Sequence, residues 1–186
     1  ILRRDADPAA ARPPRADAHA SDDPADLAAV LARWTTQVAI EDVTTDDHVL
    51  TRDEDDSLAP LTVQPVAQTH TNTTPETRHF KLLDTTTGLI ELLTTTPFHP
   101  FHVTDTTGPL APTADIARFT TEATATYSGY HATDGWIYAT DIRAGFVLTT
   151  ADGRRVLVLA VRTEHHRRRT YNLTVPHTHT YFVGHA

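Results

Sequence analysis

The chain has no cysteine and no methionine among its 186 residues. The absence of cysteine excludes disulfides, thiolate metal ligands and a cysteine nucleophile. Because the sequence begins with Ile1 and has no methionine, we expect a fragment or a processed piece of a longer protein.

Basic residues are outnumbered by acidic ones, 16 against 24, which gives a net charge of −8. This balance repels nucleic acid and anionic membranes, so we expect neither as a partner. The longest apolar run, residues 156–161, is far too short to span a bilayer. A chain of this length can bury a sizeable core, and one domain preceded by a tail is the expected organisation.

Residues 1–26 are predicted to form a disordered linker, because they are rich in Ala, Pro, Arg and Asp and have few large apolar side chains to bury. The segment 21–24 provides a capping hydroxyl or carboxylate followed by proline, which is typical of a helix start. Apolar residues then recur with helical spacing from Leu27 to Trp34. We therefore predict one short amphipathic helix there.

The rest of the chain, residues 27–186, is predicted to be an all-β domain, because short runs of Val, Thr, Leu and aromatics alternate with turn residues. The predicted strands are 38–43, 48–51, 61–69, 77–83, 89–95, 146–149, 155–161 and 171–175, and the strand after these carries His177 and His179. The turn Asp152-Gly153 marks the clearest hairpin. Residues 53–56 and 165–169 are predicted to be exposed turns, and residues 104–134 an insertion loop.

Three segments carry a more specific pattern, each of which fixes both residue type and spacing. They are TTTPFHPFHV at 94–103, GWIYATDIRAGFVL at 135–148 and TYNLTVPHTHTYFVGH at 170–185. In this order they resemble the Hint fold of inteins, hedgehog autoprocessing modules and bacterial pretoxin domains. The resemblance implies an all-β horseshoe of short strands without a cofactor.

Thr96 and His99 match the TxxH motif of that family. By resemblance, His99 would hydrogen-bond the amide nitrogen of the upstream scissile bond and protonate the leaving amine. Thr96 would help to hold that peptide in a strained geometry. Imidazole suits the role because it titrates near neutral pH. An isolated histidine on a half-buried strand could equally be satisfied by a backbone carbonyl.

His179 lies in the sequence HTYFVG and is preceded by a strand-like segment that contains Asn172. In pretoxin-type Hint domains the corresponding histidine assists a carboxyl-terminal cleavage in which a terminal asparagine cyclises. By the same resemblance, Asn172 would orient its neighbours rather than react. The alternation of Tyr171, Leu173 and Val175 also fits a strand with one face in a core.

The segment from Trp136 to Leu148 matches the family pattern W-x-x-A-x-x-L-x-x-G, and it contributes no catalytic residue. Gly145 is predicted to occupy a turn that needs a positive φ. Trp136 is predicted to belong to the core or to a wall of the site.

The chain departs from the family at both ends. Hint self-processing uses a Cys or Ser nucleophile just before the first strand, and two alignments place that position at Leu31 or at Ala25. The nearby hydroxyls of Ser21, Thr35 and Thr36 are weak nucleophiles without a positioned base. At the other end the terminal His-Asn of the family is missing. We expect the native gene to continue past Ala186 into an apolar strand ending in His-Asn, followed by a cargo domain.

These observations leave three hypotheses open. The first is a self-processing pretoxin or intein-like domain, monomeric, covalently attached to flanking domains and exported as part of a larger bacterial protein. The second is a degenerate Hint scaffold that links an export region to a cargo and cleaves nothing. The third is a metal-binding β-domain, with His177/His179 and His99/His102 as ligand pairs. We expect no metal, because the family orients such rings for hydrogen bonds.

The missing nucleophile generates a first prediction. A chain that carries a reporter protein at its amino end should release no reporter in hydroxylamine, because neither Leu31 nor Ala25 can form an ester or thioester with the preceding carbonyl. Gel electrophoresis and intact mass would measure the release. Release that disappears in His99→Ala would contradict the prediction, since a hydroxyl would then have replaced the missing nucleophile.

Overall fold

The computed structural model describes residues 2–4, 35–106 and 135–184, and these parts of the chain are almost entirely β-structure. In chain order the strands are β1 Leu2–Arg4, β2 Thr35–Gln37, β3 His48–Thr51, β4 Thr62–Pro65, β5 Gln68–Thr74, β6 Thr77–Asp84, β7 Ile90–Thr95, β8 Pro100–Asp105, β9 Trp136–Tyr138, β10 Val147–Thr149, β11 Arg155–Glu164 and β12 Arg168–Thr174. A 3₁₀ turn, Ile40–Asp42, lies between β2 and β3. No helix in the described residues has the length and hydropathy needed to cross a bilayer.

The strands of the described residues form three sheets. Their orders are β2-β1-β3-β4, β7-β6-β11-β10-β8-β9 and β12-β5. By its contacts the chain divides into two compact units, Ile1–His70 with Tyr171–Ala186 as the first and Thr71–Thr170 as the second. The boundaries between the units fall within β5 and β12.

The second unit is built on the antiparallel pair of β6 and β11, which runs from Val156 opposite Asp84 to Glu164 opposite Thr77. Alternate residues of β6 point inward, so that Phe80 and Leu82 are buried. The Phe80 ring meets the Phe101 ring edge to face, with centroids 5.8 Å apart. The buried core of this unit comprises Phe80, Leu82, Val103, Ile137, Ala139, Ile142, Phe146, Leu148, Val158 and Val161.

The first unit has a smaller apolar core around the sheet that contains β3. Its buried members are Val43, Val49, Val66, Leu173 and Val175, and Val38, Ile40, Tyr181 and Val183 pack against them. The carboxyl-terminal segment after β12 therefore belongs to this core rather than forming a tail.

Several predicted elements are confirmed. β10 and β11 pair antiparallel across the turn that contains Gly153, whose φ is 81°. β6 and β7 form a second hairpin, in which Asp84 Oδ1 accepts hydrogen bonds from the Thr86 and Thr87 amides at 2.8 and 3.1 Å. Such bonds from an aspartate to amides two and three residues on stabilise a tight turn.

Other predicted strands are wrong in their bounds. Residues 38–43 do not form a strand, because the chain leaves the sheet after Gln37 and makes the 3₁₀ turn before Val43 enters the core. Residues 61–69 form two strands rather than one. The chain breaks after Pro65, and the amide of Val66 bonds the Asp47 carbonyl while that of Ala67 bonds the Thr174 carbonyl.

The amino-terminal prediction differs from the structure at residues 2–4. These residues belong to the segment predicted as a linker, yet their backbone pairs with β2 on one side and β3 on the other. The Ala-, Pro- and Asp-rich composition that predicts a linker belongs to the residues after Arg4. It therefore gives no information about a short strand at residues 2–4. The remainder of 1–26 and the helix predicted to end at Trp34 lie outside the described residues.

The core of the second unit generates a stability prediction. Phe80 is fully buried, so Phe80→Ala should lower the free energy of unfolding by about 3–5 kcal/mol through lost burial and the cavity that remains. Urea denaturation followed by circular dichroism would measure it. The matched control is Leu89→Ala in the same unit, where the side chain is 61% exposed and the expected change is within about 0.5 kcal/mol. Equal losses in the two variants would contradict the assigned core.

Candidate functional site

The TxxH motif forms the turn that joins β7 to β8. The His99 amide donates to the Thr96 carbonyl at 3.3 Å, which closes a four-residue β-turn. Proline is favoured at the second position of such a turn because its φ is already fixed near the required value, and Pro97 occupies that position. The motif therefore folds locally into a defined turn, with Thr96 and His99 both half-buried at its two ends.

Two backbone hydrogen bonds from the segment after β9 hold this turn in place. The Thr140 amide donates to the Pro97 carbonyl at 2.8 Å, and the Ala139 amide donates to the His99 carbonyl at 2.9 Å. Ala139 is fully buried, so a larger side chain would not fit at this position without displacing its neighbours. The alanine of the W-x-x-A pattern thus lies directly against the TxxH turn.

Two arginines fix the peptide unit that follows. The Thr140 carbonyl accepts a hydrogen bond from Arg143 Nη1 at 2.7 Å and a longer one from Arg78 Nη2 at 3.4 Å. Arg78 is only 3% exposed, and its Nη1 also donates to the Thr163 hydroxyl. Arg143 donates to the Ile142 carbonyl as well, at 3.0 Å. Neither arginine was among the predicted site residues, because nothing in their local sequence indicates which carbonyl they reach.

The electrostatics of His99 follow from its burial, which lowers the pKa of its ring below the ordinary value of 6.5. The ring packs edge to face on Phe101, with centroids 5.2 Å apart and an interplanar angle of 68°. At neutral pH the imidazole is therefore uncharged. A neutral imidazole has one N–H donor and one acceptor nitrogen, which suits proton transfer in either direction.

The other residues of the W-x-x-A segment have structural roles in the second unit. Ile142 and Leu148 are buried in the core, and Trp136 is half-buried with its ring edge to face on His102 at 5.4 Å. Gly145 has a φ of 95°, as predicted, and its amide donates to the Val158 carbonyl at 2.8 Å. A residue with a Cβ would be strained at that φ.

The carboxyl-terminal histidines do not lie on a strand, contrary to the prediction. No strand follows Thr174 in the described residues, and His177 and His179 adopt left-handed backbone angles with φ of 67° and 54°. The His179 amide donates to the Val175 carbonyl at 3.2 Å. Pro176 has no N–H to contribute to a strand ladder, which favours this turn. Both rings are exposed.

The threonines of the same segment face inward and anchor it. Thr51 Oγ1 contacts Thr178 Oγ1 and the Thr180 carbonyl, each at 2.7 Å. Thr180 Oγ1 in turn accepts from the Arg52 amide at 3.2 Å and donates to the Arg52 carbonyl. Thr51 and Thr178 are buried, so their hydroxyls need these partners. The alternation His-Thr-His-Thr thus places threonines inside and histidines outside without forming a strand.

Asn172 is held by two hydrogen bonds to its side-chain oxygen. Its Oδ1 accepts from the Leu173 amide at 2.9 Å and from the Tyr181 hydroxyl at 2.5 Å. Burial raises the pKa of Tyr181 to about 12, so its hydroxyl remains a donor throughout the physiological range. Because the side-chain oxygen accepts both of these bonds, Asn172 would orient a further group through its side-chain N–H donors.

The metal-binding hypothesis depends on the pairs His177/His179 and His99/His102. His177 and His179 have no common strand face, and no three His, Asp or Glu side chains come together as ligands within residues 35–106 and 135–184. The acidic loop at 53–56 is an exposed turn in which Asp53 and Asp56 accept hydrogen bonds from nearby amides.

The four predicted site residues fall into two places. Thr96 and His99 lie together in the second unit, and Asn172 and His179 lie in the first. Residues other than these four support each place. They are Ala139, Thr140, Arg78 and Arg143 for the turn, and Thr51, Thr178, Thr180 and Tyr181 for the carboxyl-terminal segment.

Comparison with solved structures supports this fold. The chain is similar to a bacterial intein-like domain from Clostridium thermocellum, with 22% identity, coverage of 81% of this chain and 83% of that one, and a TM-score of 0.54. It is also similar to the DnaX mini intein from Spirulina platensis, with 17% identity, coverage of 80% and 85%, and a TM-score of 0.50. No protein-family model matches the chain, and no curated protein matches it. The chain has the all-β Hint fold of intein-like domains.

Proposed function

We propose that the chain is a self-processing domain that cleaves a peptide bond of its own polypeptide. The observation that carries this proposal is the TxxH turn of an intein-like fold, which presents a neutral, half-buried His99 on a backbone clamped by Ala139 and Thr140. A fixed backbone lowers the entropic cost of aligning a catalytic group with the reacting bond.

In this proposal His99 acts on the peptide bond at the amino end of the domain. Its neutral ring donates an N–H to the amide nitrogen of that bond and can pass a proton to the amine that leaves. Thr96, at the other end of the turn, helps to hold the peptide against the ring. This half of the reaction needs an attacking group, and neither Leu31 nor Ala25 supplies one.

His179 acts in the proposal at the carboxyl end. There the side-chain nitrogen of a terminal asparagine attacks its own backbone carbonyl carbon, and the new C–N bond closes a succinimide as the peptide C–N bond breaks. The proton lost by the attacking nitrogen must reach the leaving amine, and the exposed imidazole of His179 can carry it. Asn172 orients neighbouring groups through its anchored side chain.

The partners in this proposal are flanking domains covalently attached to the chain, with a toxin or other cargo downstream and export as part of a larger bacterial protein. The second candidate is a degenerate scaffold that keeps the fold and joins such domains without cleavage. The absence of cysteine and the unreactive side chains of Leu31 and Ala25 favour it. The two candidates differ in one measurable outcome, which is release of the downstream domain.

The test uses the native polypeptide to which residues 1–186 belong, with a reporter protein fused to its carboxyl end. We expect slow release of the reporter, measured by intact mass over hours, and His179→Ala should slow the release by about 10²-fold or more if the ring is a general acid.

The matched control for that test is His177→Ala, because His177 is also exposed and also has a left-handed backbone, so both substitutions strain the turn alike. It should release the reporter at the parent rate. A polypeptide that stays whole would leave the scaffold as the function, whereas release by His179→Ala at the parent rate would show that the His179 ring does not carry the proton.

The lowered pKa of His99 generates a prediction on pH. The folded ring takes up its proton at lower pH than the unfolded chain, whose histidines titrate near 6.5. Stability from the buried neutral ring is therefore complete above about pH 6.5 and is lost as the pH falls from there through the folded pKa. NMR titration of the His99 ring signals should give a value below 6.5.

Stability measurements give an independent check of the same pKa. The loss of stability between pH 6.5 and the folded pKa should be smaller in His99→Asn, since that variant has no proton to take up at this position. Identical pH profiles in the parent and the variant, together with an unshifted ring titration, would show that burial does not lower the pKa of the His99 ring.

A further inference from the structure

One buried hydroxyl contacts the residues on both sides of His179. Thr51, the last residue of β3, is fully buried, and its Oγ1 lies 2.7 Å from Thr178 Oγ1. The same oxygen lies 2.7 Å from the Thr180 carbonyl oxygen and 2.9 Å from Thr180 Oγ1. A hydroxyl can donate one hydrogen bond and accept two, so the Thr51 side chain alone can hold both neighbours of His179.

The strand end that carries this hydroxyl is itself fixed. Thr51 pairs with Thr62 in the β3–β4 ladder. The next residue, Arg52, donates its amide to Thr180 Oγ1 at 3.2 Å. The Arg52 guanidinium lies over the Phe182 ring, 5.8 Å from the centroid. The carboxyl-terminal segment is therefore attached to the end of β3 by more than the Thr51 hydroxyl.

His179 needs this support because its backbone is in the left-handed region, with a φ of 54°. A non-glycine residue keeps such a conformation only where its surroundings hold it there. The His179 ring is exposed, and it makes no hydrogen bond, ion pair or ring contact within the part of the chain that the structure describes. The backbone of residues 178–180 therefore determines where the imidazole can reach.

We infer that Thr51 is a positioning residue for His179. This inference rests on the proposed function, in which the His179 ring carries a proton at the carboxyl end. The Thr51 hydroxyl keeps residue 179 in its left-handed conformation and so fixes the direction in which the ring leaves the backbone. Proton transfer requires the ring to lie within hydrogen-bond reach of the reacting groups, and a fixed direction favours this. Thr51 itself does not touch the reacting atoms.

The first measurement needs no cleavage. In the ¹⁵N-labelled full chain, the nuclear Overhauser effect between the amide proton and Hα of residue 179 is strong only for a positive φ. Thr51→Val keeps the shape of the side chain and removes the hydroxyl, so we expect this signal to weaken. Thr51→Ser keeps the hydroxyl and should retain the strong signal.

Thr150→Val is the matched control for the loss of a buried hydroxyl. Thr150 is 5% exposed, and its Oγ1 accepts a hydrogen bond from the Arg154 amide at 2.9 Å. It belongs to the second unit, whereas Thr51 and His179 belong to the first. The signal of residue 179 should therefore stay strong in Thr150→Val.

The second measurement uses the native polypeptide with its carboxyl-terminal reporter. Thr51→Val should slow release by about ten-fold, which is less than the effect of His179→Ala, because the imidazole is still present but is less often in place. Thr51→Ser should release at the parent rate. In the His179→Ala background, Thr51→Val should cause no further slowing, because it acts only through the ring. A general loss of stability would instead slow both backgrounds alike.

Thr180→Val is the second variant, for use where Thr51→Val does not fold. It removes a half-buried hydroxyl that contacts both Thr51 Oγ1 and the Arg52 amide. The expected results are the same as for Thr51→Val in both measurements.

The outcomes separate this inference from the proposed function. A residue 179 that keeps its left-handed φ without the Thr51 hydroxyl overturns the inference, whether or not the reporter is released. Parental release by Thr51→Val, or equal slowing in the parent and in the His179→Ala background, also overturns it. A changed φ in a polypeptide that releases nothing rejects the proposed function but supports the positioning of residue 179 by Thr51.

Discussion

Two backbone N–H groups, those of Ala139 and Thr140, are the constraint on which the TxxH turn depends. They come from a segment 40 to 43 residues further along the chain and bond the carbonyls on either side of Phe98. The segment is itself fixed, because Ala139 is buried and the Thr140 carbonyl accepts from Arg143 and Arg78. Each such bond contributes only about 1 kcal/mol to stability. Their main effect is therefore to fix the position and orientation of the turn. They determine where His99 is, rather than whether the domain folds.

The sequence predicts what depends on neighbouring residues and misses what depends on distant ones. The hairpin at Asp152-Gly153, the strand that begins at Thr77 and the positive φ of Gly145 each follow from a local pattern, and the structure confirms them. The Thr96–His99 motif could be located, and its turn follows from Pro97. Its partners could not be predicted, since no local signal connects Arg78 or Arg143 with the carbonyl of residue 140.

The strand predicted through His177 and His179 failed for a different reason. Alternation of two residue types is a sound indication of a strand when one type is apolar, because the period of two then separates a core from water. Here the inward residues are threonines, whose hydroxyls can bond backbone groups in many geometries. Thr51, Thr178 and Thr180 satisfy one another and the Arg52 backbone, and the alternation survives in a turn. An alternating sequence pattern therefore does not require a strand when the inward residues are threonines.

The left-handed backbone at His177 and His179 limits which mutations these two codons can accept. A single base change converts a histidine codon to that of Tyr, Asn, Asp, Leu, Pro, Arg or Gln. Proline cannot adopt a positive φ, and most of the others are strained there, whereas Asn and Asp adopt it readily. Neutral substitutions at these positions are thus expected to give mostly Asn or Asp, which keep the turn but lack the imidazole. Loss of the imidazole at residue 179 would then leave the shape of the loop unchanged.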